Sequence, residues 1–167
     1  MELEVTHAYD SSLDRVLGAF FNEQHILQKN ADVGARNVHV DECNRSDQTG
    51  KLVISREVRS AREVPGILAS FHKEWNRVRQ EEHWFRKDDN EWHCEFRVHI
   101  EGVPAKIKGN MRLQGHQNNC INYVTLSVRC DLPLIGKKVA KFLLEDSRLK
   151  IEREHAASCA LLYAAQA

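Results

Sequence analysis

The chain has 167 residues, 42% apolar and 29% charged, which suits one folded domain over residues 1–167 and carries no signature of disorder. Lys plus Arg equals Asp plus Glu, so the formal net charge is zero, which argues against a nucleic-acid partner. No stretch nears the roughly 18 to 20 apolar residues of a membrane helix, so no integral membrane segment is expected.

The opening "MELEVTHAYD" alternates, with Leu3, Val5, His7 and Tyr9 on one face, and predicts a strand. It is acidic and unlike a secretory signal, so a cytoplasmic location is expected. The five scattered cysteines contain no CxxC, and Cys94, Cys120 and Cys130 fall on apolar strand faces, where cysteine packs as a small hydrophobe. Helical spacing follows in Leu13, Val16, Leu17 and Phe20, with Asp10, Ser11 or Ser12 as the cap. Asn22 marks a break before a second short helix carrying Ile26 and Leu27. "ARNVHVDEC", the turn "RSDQTG" and "KLVISREV" then predict a hairpin.

In the returning strand Leu52, Ile54, Arg56 and Val58 share a face, so Arg56 points inward. A buried arginine needs a partner. That partner is either a ligand carboxylate or phosphate, or a core carboxylate such as Glu82 or Asp146. "EVPGILASFHK" interrupts the sheet, because Val64 before Pro65 is extended and Pro-Gly favours a turn. Ile67, Leu68 and Phe71 then have helical spacing, and Pro65, Gly66, Ile67, Leu68 and Phe71 form a candidate gate.

Three further hairpin-linked strands follow "KEWNRVRQEEHW". In that stretch Asn76, Val78, Gln80, Glu82 and Trp84 are expected inside, and Arg77, Arg79, Glu81 and His83 in solvent. The next strand alternates through Trp92, Cys94, Phe96, Val98 and Ile100, with His93 and His99 on its outer face. The one after it presents Ala105, Ile107, Gly109, Met111 and Leu113. The last carries Asn122 among Cys120, Val124, Leu126 and Val128. A helix of about 30 residues ends the chain, with Pro133 in its first turn and Val139, Phe142, Leu143, Asp146, Leu149, Arg153, Ala156, Ala157 and Ala160 on one face.

The order is strand, two short helices, six strands, long helix. It predicts an α+β fold: a curved antiparallel sheet of about seven strands gripping one long helix, with a cavity between them. The order, with "HAYDSSLDRVLGAFFNEQHI" leading into "ARNVHVDE", resembles the START-like, or SRPBCC, helix-grip superfamily. More narrowly, "REVPGIL", "EWNRVRQEEHW", "EFRVHIEGVPAKIKGNMRL" and "DLPLIGKKVAKFL" resemble an uncharacterised bacterial family within it, known only as a domain of unknown function. The superfamily resemblance implies an internal cavity for lipids, sterols, polyketides or other hydrophobic molecules. It also implies that members divide among carriers, cyclases or hydrolases, and assembly domains.

The expected partner is therefore a hydrophobic or amphipathic small molecule or lipid. Its expected contacts are Arg56, Val78, Gln80, Glu82, Trp84, Phe96, Met111, Asn122, Val139, Phe142 and Leu143. No cofactor is expected. Nor is a metal, since the nine histidines include no HExxH and no zinc-ribbon spacing. "GKK" at 136–138 lacks the remainder of a phosphate loop, and no GxSxG elbow occurs. Two alternatives stay open. One is a cyclase, dehydratase or hydrolase using Glu82, His83 or Asp146 as acid or base. The other is a protein-interaction module with a filled core. Oligomeric state is not legible.

Overall fold

The computed structural model describes residues 1–166. Strand β1 (Glu2–Tyr9) is followed by helices α1 (Leu13–Phe20) and α2 (Glu23–Asp32). Six strands come next: β2 (Arg36–Arg45), β3 (Thr49–Val58), β4 (Asn76–Asp88), β5 (Glu91–Ile100), β6 (Lys106–His116) and β7 (Asn119–Arg129). Helix α3 (Gly136–Gln166) closes the chain, 31 residues long, or about 45 Å at 1.5 Å per residue. Among the described residues no helix is long and apolar enough to cross a membrane.

The seven strands form one antiparallel sheet in the order β1-β7-β6-β5-β4-β3-β2. Sequence neighbours pair from β2 to β7, and β1 crosses to the far edge to pair with β7. The two short helices therefore carry the chain from one edge of the sheet to the other. Their caps follow the sequence reading. Ser12 Oγ accepts from the Arg15 N–H at 3.3 Å, and Asn22 Oδ1 accepts from the His25 N–H at 2.9 Å.

Period-two alternation sorts each strand into an inner and an outer face. In β4, Asn76, Val78, Glu82 and Trp84 are buried, and Arg77, Arg79, His83 and Phe85 are exposed. The apolar faces meet α1 and the first half of α3 in one core that includes Val16, Leu17, Leu113, Leu126, Val128 and Val139. Gly136 allows α3 to begin against the Cys130 carbonyl, where a Cβ would collide. The glycine of "GKK" thus has a packing reason.

Two expectations change here. The inward face of α3 beyond Asp146 does not run through Leu149, Ala156 and Ala160, and Arg153 stands at the cavity rim. Arg153, Ala156 and Ala160 are exposed, and Ser158 and Leu162 are the buried positions of that half. The segment after β3 contains only a single 3-10 turn, Gly66–Leu68. Leu68 packs into the core, and the preceding backbone is tied to α3: Ala61 N–H and Arg62 N–H both donate to Asp146 Oδ1, at 2.6 and 3.2 Å.

Candidate ligand cavity

The helix does not fill the sheet it grips. Between the second half of α3, helix α2 and the concave face of the sheet lies a cavity of about 550 Å³, within the range of small-molecule sites. Its floor is apolar, built from Phe96, Val98, Ile107, Met111, Val124 and Leu126. Gly109 makes room for the Phe96 ring, since a Cβ there would lie 2.5 Å from the ring edge. Gly34, Arg59 and Arg153 line the space and are exposed, so it reaches the surface. At that rim two guanidinium groups approach the Trp75 ring, Arg36 at 3.9 Å and Arg59 at 5.4 Å.

One wall is a continuous polar chain across α2, β3 and β4. Asn30, 0% exposed, is held by donation from its Nδ2 to the Ile26 carbonyl at 2.7 Å. Its Oδ1 accepts from Arg56 Nη1 at 2.7 Å. Arg56 Nη2 donates to Gln80 Oε1 at 3.1 Å and pairs with Glu154 of α3 at 3.3 Å. Gln80 Nε2 donates to Glu82 Oε2 at 2.6 Å, and Trp84 Nε1 donates to Glu82 Oε1 at 2.9 Å. Burial pushes the Glu82 carboxyl above its ordinary range, against the pull of the Trp84 bond, the Lys29 charge and the Gln80 bond.

The opposite wall is built by β1, β7 and α3. His7 and Asn122 are cross-strand partners. The His155 ring stacks on His7 at 4.2 Å with its plane tilted by 4°. His7 Nε2 bonds Glu152 Oε1 at 3.0 Å, and His155 Nε2 donates to the Ala8 carbonyl at 2.9 Å. Burial holds the His155 imidazole below its ordinary pKa, so it is neutral near pH 7. Asn122 is 3% exposed; its Nδ2 meets only the Met111 sulfur, at 3.5 Å, and its Oδ1 has no partner.

His7, Glu152 and His155 bring potential metal-ligating atoms within 4.8 Å of one another. Imidazole nitrogens bind a metal in the ring plane. The parallel stack puts the two sets of lone pairs in separate planes, so one ring would have to turn before both could hold an ion. His25 meets Ser158 Oγ at 3.2 Å beside the same cavity. Burial, reinforced by Lys29, lowers its pKa to about 4.

The structure sorts the residues singled out in the sequence. Arg56, Val78, Gln80, Glu82, Phe96, Met111 and Asn122 line the cavity together. Trp84, Val139, Phe142 and Leu143 do not; they belong to the packed core, with Trp84 against Phe20 and Phe21. Pro65, Gly66, Ile67, Leu68 and Phe71 also lie away from the lining, whereas Val58, Arg59, Ser60 and Trp75, which flank that segment, contribute to it.

The carboxylate paired with Arg56 is Glu154, not Glu82 or Asp146. Asp146 instead receives Ala61, Arg62 and, at 2.8 Å, Lys150 Nζ. His83 is exposed and bonded to Glu81 at 3.0 Å, so Glu82, His83 and Asp146 do not converge on one site. Asn30, Glu154, His155 and Ser158 were not singled out as site residues. Asn30 carries a readable signal, one turn after buried Ile26.

A curved seven-stranded sheet around one long helix, with a cavity between them, defines a helix-grip fold. Within that class the chain belongs to the family described as "Protein of unknown function (DUF2505)", whose model matches residues 4–162. Comparison with curated proteins finds no match. Among solved structures it is similar to the Zhui aromatase/cyclase from Streptomyces sp. R1128, with TM-score 0.67 and 11% identity over 98% of this chain and 93% of that one. It is similar to Ara h 8.0201, with TM-score 0.62 and 11% identity over 98% of both chains. It is also similar to human STARD10, with TM-score 0.57 and 8% identity over 94% of this chain and 62% of that one. At such identities the likeness is one of fold.

Proposed function

We propose that this protein binds a hydrophobic or amphipathic small molecule or lipid in the cavity between α3 and the sheet, for carriage or sequestration. The observation that carries this reading is the cavity itself: about 550 Å³, with an apolar floor. Dry interiors pack to crystal-like density, and a void of this size forfeits dispersion contacts along its whole wall. An apolar ligand restores them. The unpartnered Arg56 Nε and Asn122 Oδ1 give the two opposite walls one place each for a polar ligand atom. The filled-core interaction module does not fit this geometry. The reading keeps the cytoplasmic, single-domain setting expected from the sequence.

The test is native mass spectrometry of protein purified without organic extraction, followed by titration with a hydrophobic fluorescent probe. A non-covalent lipid-like adduct, or saturable probe binding that the endogenous ligand displaces, is the expected result. A bare chain mass together with no probe binding would overturn the reading.

A further inference from the structure

We infer that the ligand carries a carboxylate or phosphate head group, and that this head takes the place of Glu154 on Arg56. The inference rests on the cavity-binding reading above and adds to it the chemistry of the ligand.

Arg56 is held as a receptor is held. Asn30 fixes Nη1 and Gln80 fixes Nη2, and both of these amides are themselves anchored, to the Ile26 carbonyl and to Glu82. The guanidinium therefore keeps its orientation without help from α3. Neither anchor is charged, so neither neutralises it. Its carboxylate partner, Glu154, meets Nη2 alone at 3.3 Å. The adjacent Nε is buried and has no acceptor. Arginine presents Nε–H and an Nη–H side by side, a fork that one carboxylate or phosphate engages at two points. Glu154 engages it at one.

Burial differs across the pair. The Arg56 side chain is 12% exposed and the Glu154 side chain 25%, so the carboxylate is the partner with a route to water. Glu154 sits on the half of α3 that lines the cavity, and leaving Arg56 returns it to solvent without breaking the helix. The surroundings favour a second anion. Lys29, Arg56, Arg59, Lys150 and Arg153 line the cavity against Glu82 and Glu154, five cations to two carboxylates, on a chain of zero formal charge. Asp146 and Glu74 engage Lys150 and Arg59 from outside the lining. Lys29 and Arg153 have no carboxylate at ion-pair distance among the described residues. An anionic head at Arg56 would also leave its apolar chain pointed at the Phe96, Ile107 and Met111 floor.

The experiment is calorimetric titration of the full chain, freed of endogenous lipid, with dodecanoate, dodecyl phosphate and 1-dodecanol. At least one of the two anions is expected to bind about tenfold or more tightly than the alcohol, the size of a charge-assisted pair. Which anion binds tighter tells carboxylate from phosphate. Arg56→Gln should abolish the preference, bringing the anions to within about twofold of dodecanol. Glu154→Gln should strengthen anion binding and widen the preference over the alcohol. Equal affinity for anions and alcohol, or a preference that survives Arg56→Gln, overturns the head-group assignment while cavity binding stands. No binding by any of the three overturns both. Should Arg56→Gln fail to fold, Glu154→Gln decides: unchanged anion affinity in that variant overturns the exchange.

Discussion

The two halves of helix α3 face the same sheet with opposite results. From Val139 to Leu144 the helix buries Val139, Ala140, Phe142, Leu143 and Leu144, and nothing separates it from the strands. From Ser147 to Ser158 it presents Ser147, Lys150, Ile151, Glu154, His155 and Ser158, and a cavity opens. The inward spacing is regular throughout: Leu143, Ser147, Ile151, Glu154, Ser158 and Leu162 are each three or four residues apart. What changes is the side chains, not the helix. Short or polar groups at inward positions keep the second half from closing on the sheet, so the site is made by withholding volume from a core that is otherwise complete.

This contrast should break first at Phe142. Its ring is buried and packs edge-on to His72 at 5.7 Å, in the closed half. Phe142→Ala is expected to cost about 3 to 5 kcal/mol, as for other large-to-small core changes. Ile151→Ala, in the open half, borders space that already exists and should cost roughly 1 kcal/mol. Urea unfolding midpoints of the two variants check the difference. Similar losses at both positions would mean that the second half is packed as tightly as the first.

Buried polar residues sharpen the same comparison. Asp146 stands where the halves meet, 3% exposed, and receives two backbone N–H groups and Lys150. Asp146→Ala strands the Ala61 and Arg62 donors, at about 2 to 3 kcal/mol. Because those donors start the 61–75 connection, amide exchange should quicken there before it does in the strands.

The sheet was legible because β1, β4, β5 and β7 alternate in burial, and an inward Arg56 follows from its register with Leu52 and Ile54. Val78, Gln80 and Glu82 were placed by the same rule. The rule fails where an inward position is polar on a helix. Glu154, His155 and Ser158 look like a solvated face, so the apolar stripe was extended instead through Ala156 and Ala160, which are exposed, and half-buried Ala157. Trp84, Val139, Phe142 and Leu143 were placed in the cavity because periodicity tells which face is inward but not whether the opposite surface reaches it. The attachment of Ala61 and Arg62 to Asp146, about 85 residues away in sequence, leaves no local trace.

Asn122 reverses the sign found at Asp146. Its Oδ1 is buried without a partner, and such a group costs about 1 to 3 kcal/mol. Asn122→Leu should therefore stabilise the protein, by about 1 to 2 kcal/mol, while weakening a ligand that donates to that oxygen. A destabilised Asn122→Leu in thermal unfolding would show that the carbonyl is satisfied in solution.

The smallest expected effect is on pH dependence, and it too divides by location. His25, at the α2–α3 contact, falls from 6.5 to about 4 on folding. Between those values the unfolded chain binds the proton that the native state refuses, so its contribution is intact above 6.5 and is lost as pH falls toward 4. His72 and His155, also lowered first by burial, act in the same direction. Glu82 acts in the opposite one. Its raised pKa means that the native state takes up a proton before the unfolded chain does, and stability is gained as pH falls through the folded value. Thermal unfolding from pH 7 to pH 5 should show a falling midpoint with a shallower slope in His25→Gln. Replacing Glu82 with Gln should make the fall steeper, because a group that favours acid is gone. Unchanged slopes in both variants would place the acid sensitivity outside the cavity walls.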